Sequence, residues 1–173
     1  MQYLLDLDVQ IFRFLNTFGH NAASDKLLIM ADKYGLYFFA AVVLIYFFLN
    51  RTTFWRAAIA AVLARGVIVE AIRFFYHRPR PFLALDQARQ LIEKNSTEGS
   101  FPSGHAAFYF AIAFAVYFAH KGAGKILLIA AFLLGLARVY LGVHYPSDIL
   151  GGAAVGAFSA WAASLVFKKN QNA

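Results

Sequence analysis

Five strongly apolar stretches, at about 34–50, 54–75, 103–120, 125–143 and 148–167, occupy most of the chain and are separated by short polar connections. A run of roughly 20 apolar residues rising about 1.5 Å each matches the hydrocarbon core of a bilayer. In lipid every backbone N–H and C=O must be satisfied within the protein, and a single segment does this as a helix. The predicted fold is all-α: a polytopic membrane helix bundle with about five transmembrane helices. Composition agrees, with 61% hydrophobic and 14% charged residues, against about 45–50% and about 25% for a soluble domain. Residues 3–18 mix charges with an apolar face at helical spacing, which predicts an N-terminal helix lying in the membrane interface. With no internal repeat and no linker, residues 1–173 read as a single integral-membrane domain.

Several classes are excluded. The net charge of +7 is spread along the chain, so nucleic acid is not an expected partner. The absence of cysteine removes disulfide and thiol chemistry. The first 20 residues carry Asp6 and Asp8 and no basic n-region, unlike a cleavable signal peptide.

Alternation sorts the connections onto two sides. Arg51, Arg56, Lys121, Lys125, Lys168 and Lys169 share one side, which has no acid. The N-terminus, the loop 76–102 and the turn near 144–148 share the other, with eight of the nine acids. The positive-inside rule places the first side in the cytoplasm.

The outer side then collects three polar segments. Arg73 and Arg80-Pro81 end the second span, Pro102-Ser103-Gly104-His105 opens the third, and Arg138, His144 and Asp148 join the fourth to the fifth. Ser103 is a good N-cap, and the unpaired N–H groups and positive end of its helix suit a phosphate. Gly104 permits close backbone approach. Arg73, Arg80 and Arg138 suit bidentate contact with phosphate oxygens. A carboxylate on one ring nitrogen of His144 would fix its tautomer and free the other as a nucleophile. His105 then takes the role of general acid. Taken singly, each piece has a structural reading: a headgroup anchor, an ordinary cap, a His–Asp packing pair or two metal ligands. Crowding by arginine argues against a metal, and jointly the segments point to phosphate-ester chemistry. Arg65 and Glu70, inside the second span, are expected to find partners within the bundle, Glu70 with Arg73 at i,i+3. Leu85–Lys94 is expected as a short amphipathic helix, serving as a lid or a membrane contact.

These motifs resemble the type 2 phosphatidic acid phosphatase superfamily, which includes the vanadium haloperoxidases. The family pattern Lys-x6-Arg-Pro, Pro-Ser-Gly-His, Ser-Arg-x5-His-x3-Asp corresponds to Arg73-x6-Arg80-Pro81, Pro102–His105 and Ala137-Arg138-x5-His144-x3-Asp148. Arg73 keeps the charge of the usual lysine, and Ala137 lacks the usual serine hydroxyl. The resemblance implies that His144 forms a phosphohistidine, Asp148 orients it and His105 protonates the leaving group. It implies that Arg73, Arg80, Ser103, Gly104 and Arg138 hold the phosphate, with no metal or other cofactor. The run His77–Phe82 and the stretch 142–152 are similar to bacterial undecaprenyl-diphosphatases. That implies a membrane lipid phosphate as substrate, in the bacterial cytoplasmic membrane with the site on its outer face. Phosphatidic acid, phosphatidylglycerophosphate and lipid A are the alternative lipids, and a non-catalytic anion-binding or transport protein the alternative class. The additional cations His77, Arg78, Arg89 and Lys94 would suit a diphosphate or meet anionic headgroups.

Overall fold

The structure, a computed structural model, describes residues 2–168. Lys169, counted above on the basic side, and the ends of the expected domain 1–173 lie outside the described residues. Those residues form helices and connections, with no strand among them.

Helix α1 (Gln2–Thr17) buries Asp8, Phe12 and Asn16, which are one turn apart and face the bundle together. Tyr3, Leu5, Leu7, Ile11 and Phe14 stay exposed. Its buried row is thus partly polar, and several of its apolar side chains are turned outward.

Helix α2 (Ala22–Leu49) begins well before the apolar run expected from residue 34. The reason is local. Asn21 is extended, its side chain accepts from the N–H groups of Ala23 and Ser24, and Ser24 returns a bond to the Asn21 N–H. This capping box starts the helix where hydropathy is still low. At 28 residues, α2 is about 42 Å long, more than the roughly 30 Å of hydrocarbon. Its first turns therefore reach past the apolar layer, with Asp25 on them.

Asn50 ends α2 and caps the next helix, accepting from Thr53 N at 2.9 Å. That helix runs as α3 (Arg51–Val62), a π-helical segment (Leu63–Ile68) and α4 (Val69–Phe75), with helical backbone at both junctions. The expected second span is therefore one helical path with a π segment inside it. A short turn, α5 (Pro81–Ala84), follows. Residues 85–94 form bends and turns, not the expected amphipathic helix. Tertiary bonds hold them open: Asn16 bridges the N–H and C=O of Arg89 at 2.8 and 3.0 Å, and Leu91 N donates to Leu141 O at 3.1 Å.

Helices α6 (Gly104–Ala119), α7 (Lys121–Tyr140) and α8 (Pro146–Lys168) complete the bundle. Among the described residues, three helices are long and apolar enough to cross a membrane: Ala22–Leu49, Lys121–Tyr140 and Pro146–Phe167. Gly104–Ala119 is a shorter apolar helix.

Helix α6 is central and packs on α8, α7 and α3. Its contact with α8 depends on small residues. A Cβ added at Gly156 would lie 2.7 Å from Ala107 O and 2.8 Å from Phe110 Cβ; at Gly152 it would lie 2.6 Å from Ser103 O. Between apolar helices without a solvent-driven force, such close backbone approach supplies the packing energy. Gly156→Ala should cost about 1–3 kcal/mol by overpacking, read as a lower unfolding temperature in detergent. An unchanged temperature would show that the α6–α8 contact can slide.

Candidate active site

All three polar segments meet at one end of the bundle. Helix α6 begins there, with Ser103 at its N-cap and the Ser103 N–H donating to Asp148 O at 3.0 Å on α8. Because α6 starts at the site, the N–H groups of its first turn point into it. Gly104 is buried, and a Cβ there would touch Arg73 Nη2 and Val69 Cγ1, each at 3.7 Å. Arg73 thus lies beside the helix end, at a distance that a methyl group would also tolerate.

His144 lies in the turn between α7 and α8, where Gly142 adopts φ +84 and lets the chain reverse. The His144 ring is 1% exposed, with Nδ1 3.3 Å from Asp148 Oδ2 and Nε2 3.5 Å from Arg80 Nη1. Asp148, without exposed side-chain surface, also accepts from Tyr145 N at 2.8 Å, from Arg78 Nη1 at 2.8 Å and from Ser100 Oγ. The carboxylate thus fixes one ring nitrogen and leaves the other toward the cavity. Burial pushes the His144 pKa down to about 4, against the opposing bond to Asp148, so the free imidazole is neutral at pH 7.

The cavity beside Nε2 measures about 40 Å³ and is lined by Arg65, Glu70, Arg73, Arg80, Lys94, Glu98, Gly104, His105, Arg138 and His144. Arg80 is buried, donating to Val143 O at 3.1 Å and pairing with Glu98 at 3.3 Å. Arg138 is buried and pairs through Nη1 with Asp32 of α2. Its Nε and Nη2 are buried without a partner, as is Arg73 Nε. Arg73 donates to Pro102 O at 3.0 Å and pairs with Glu70 at 3.6 Å. Buried N–H donors normally find acceptors, so these mark where an oxyanion would bind. The lining is suited to one tetrahedral anion held beside a neutral imidazole, with a second imidazole, His105, on the cavity wall. Among the described residues no group of three or more His, Cys, Asp or Glu could hold a metal ion.

The eight expected site residues come together here. His105, His144, Gly104, Arg73, Arg80 and Arg138 line the cavity, and Asp148 and Ser103 support it from behind. Ala137, where the resemblance expects serine, is 2% exposed and has no hydroxyl to offer. Sequence reasoning missed several others. Arg65 faces the cavity instead of pairing within the bundle. Arg78 faces away from it, bonded to Asp148, to Ser147 Oγ at 2.7 Å and to Asp8 Oδ2 at 2.7 Å, with its guanidinium 3.9 Å from the Tyr145 ring. Burial opposes the Arg78 charge, but Asp148 and Asp8 outweigh it and raise the pKa. Arg89 pairs with Asp25, so of the four additional cations His77 and Lys94 remain near the cavities. Asp8, Asp32 and Ser100 carried no local signal, since each acts through a partner far along the chain.

Asp8 also accepts from Ser147 N at 2.8 Å and ties α1 to the first turn of α8. Asp8→Ala leaves those donors unpaired and should cost about 1–3 kcal/mol, measured by thermal unfolding. An unchanged unfolding temperature would mean that α1 is not held through this carboxylate.

Comparison with known proteins agrees with this architecture. The model of the PAP2 superfamily matches residues 54–172. The bacitracin transport permease protein BcrC of Bacillus licheniformis is 35% identical over 163 residues, which cover 90% of this chain and 78% of that protein. Undecaprenyl-diphosphatase BcrC of Bacillus subtilis (strain 168) is 29% identical, over 86% of this chain and 78% of its own. The crystal structure of Aquifex aeolicus LpxE superposes with a TM-score of 0.81 at 28% identity, covering 91% of this chain and 94% of that one. The chain, an integral membrane protein with a buried cluster of arginines around a His–Asp pair, belongs to the PAP2 superfamily of phosphatases.

Proposed function

We propose that this protein hydrolyses undecaprenyl diphosphate to undecaprenyl phosphate through a phosphohistidine on His144. The observation that carries the reading is the neutral, Asp148-bonded His144 whose Nε2 faces an arginine-lined, anion-sized cavity. The undecaprenyl-diphosphatase relative supports the choice of lipid. Arg73, Arg80 and Arg138, with Ser103, Gly104 and the first-turn amides of α6, hold the terminal phosphate. Nε2 of His144 attacks phosphorus, and the bond to the leaving phosphate oxygen breaks. His105 gives that oxygen its proton. Water then attacks the phosphohistidine, His105 takes a proton from it, and inorganic phosphate leaves with His144 restored. Fixed cations and helix N–H groups stabilise the spreading charge, the main contribution in phosphoryl transfer.

Residues 1–173 act as one domain, and the helical path 51–75 and α6 cross the membrane with α2, α7 and α8, giving five spans. The exposed apolar face of α1 suits the interface. Lys and Arg on the short loops opposite the site support a site on the outer face of the bacterial cytoplasmic membrane. Transport, the activity in the name of the Bacillus licheniformis relative, is disfavoured by the complete His–His–Asp set.

His144→Ala should lower phosphate release from undecaprenyl diphosphate by at least about 10³-fold, as loss of a catalytic nucleophile does. Excess EDTA should leave the wild-type rate unchanged. A His144→Ala protein with full activity would sink the phosphohistidine. Phosphatidic acid and phosphatidylglycerophosphate in the same assay separate the alternative lipids.

The pH profile follows from the buried imidazole. Above its pKa His144 is unprotonated and can attack; below it the lone pair is lost. Because burial sets that pKa at about 4, the acid limb of kcat/KM should lie below the ordinary histidine range. An acid limb at about 6.5, the ordinary histidine value, would contradict the buried state of His144 in the free enzyme.

A further inference from the structure

Three cavities meet at Arg65. The anion cavity of about 40 Å³ opens beside a cleft of about 520 Å³ lined by Arg73, His77, Thr97 and Gly99. An apolar groove of about 390 Å³, with Ala61, Val62, Gly66 and Phe108 in its wall, adjoins both. Arg65 and Glu70 line all three. Arg65 is carried on the π-helical segment Leu63–Ile68, and its Cγ lies 3.9 Å from the position of a Cβ on Gly104. Its stem therefore packs against the N-terminus of α6. Its Nη1 is buried without a hydrogen-bond partner.

Size decides how much of a substrate the inner cavity can hold. A site of 40 Å³ takes on the order of three waters at about 10–15 Å³ each, the scale of one phosphate and not of two. Arg73, Arg80, Arg138 and the α6 amides already surround that phosphate. Arg65 stands at its exit, where the next group of the substrate must pass. Pairing points the same way. Arg73, Arg80 and Arg138 each have an acid, Glu70, Glu98 and Asp32, whereas among the described residues Arg65 has none paired to it. Glu70 faces the same exit but is 62% exposed and paired with Arg73, so it opposes a second anion weakly. A buried arginine donor among apolar residues is costly, and a second phosphate would satisfy it.

Building on the diphosphatase reading, we propose that Arg65 binds the non-reacting phosphate of a lipid diphosphate and so selects diphosphates over monophosphates. The π segment re-aims this position toward the cavity mouth, a use for which such segments recur at functional sites. The lipid chain then leaves along the adjoining apolar groove.

The test compares Arg65→Gln and Arg65→Lys with the wild type on farnesyl diphosphate and farnesyl phosphate. Arg65→Gln should raise KM for the diphosphate about 10- to 100-fold, the effect of a lost charged hydrogen bond. KM for the monophosphate should move less than about threefold, and kcat on either should hold within about threefold. Arg65→Lys should recover most of the diphosphate KM. Equal losses on the two lipids, or none, would overturn the assignment. Binding separates this inference from the catalytic reading beneath it. The wild type should bind methylenediphosphonate about tenfold or more tighter than orthophosphate, and Arg65→Gln should erase that preference. If the preference is present but neither lipid is hydrolysed, Arg65 keeps its role and the diphosphatase reading falls. If the wild type shows no preference, the Arg65 assignment falls whatever the activity.

Discussion

The Asp148 carboxylate has no exposed surface, and the site is organised around satisfying it. An unpaired buried carboxylate would cost several kcal/mol, so donors must converge on it. They come from three segments: Ser100 in the loop before α6, Arg78 in the loop after α4, and Tyr145 N with His144 in the α7–α8 turn. Each donor belongs to a segment that also carries a phosphate-facing group. Meeting the needs of one charge therefore sets the relative positions of Arg80, His144 and the N-terminus of α6. Arg78 extends the linkage to Asp8, so the N-terminal helix is part of the same arrangement.

Around that centre the balance of charge is left incomplete. Arg80, Arg138 and Arg73 crowd one cavity, and each has a single acid: Glu98, Asp32 and Glu70 respectively. Those acids hold the arginines in place without using all their donors. Arg138 retains two unpartnered nitrogens, and Arg73 and Arg65 one each. Like charges held together in a dry site are unfavourable until an anion arrives, which is the preorganised state that phosphoryl transfer requires. Helix α6 adds its amide groups only because glycine-mediated contact with α8 lets its first turn sit beside Asp148.

Much of this was legible in the sequence because the informative residues interrupt apolar runs. Arg73, Arg80, Ser103, Gly104, His105, Arg138, His144 and Asp148 stand at span ends, and alternation of the spans brings those ends to one side. Residues that act through distant partners had no such signal. Asp32 meets Arg138 across 106 positions and Asp8 meets Ser147 across 139. Both looked like ordinary polar residues near a membrane surface. Arg65 was misassigned for a different reason. Regular helical spacing expects a pairing within the bundle, whereas the side chain, carried on the π segment, lines the cavity. The segment 85–94 has an amphipathic pattern, yet bonds to Asn16 and Leu141 hold it in bends and turns.

The sequence by itself determined that the chain is helical and built for lipid, because runs of apolar residues leave the backbone no other way to satisfy its hydrogen bonds. It also determined the chemistry, since clustered arginine with two histidines and a carboxylate is suited to little besides an oxyanion. Only the tertiary structure decided which nitrogen of His144 is free, how small the cavity beside it is, and which cations face it. Those depend on distances between segments far apart in the chain, and such distances arise from packing, which no local pattern records.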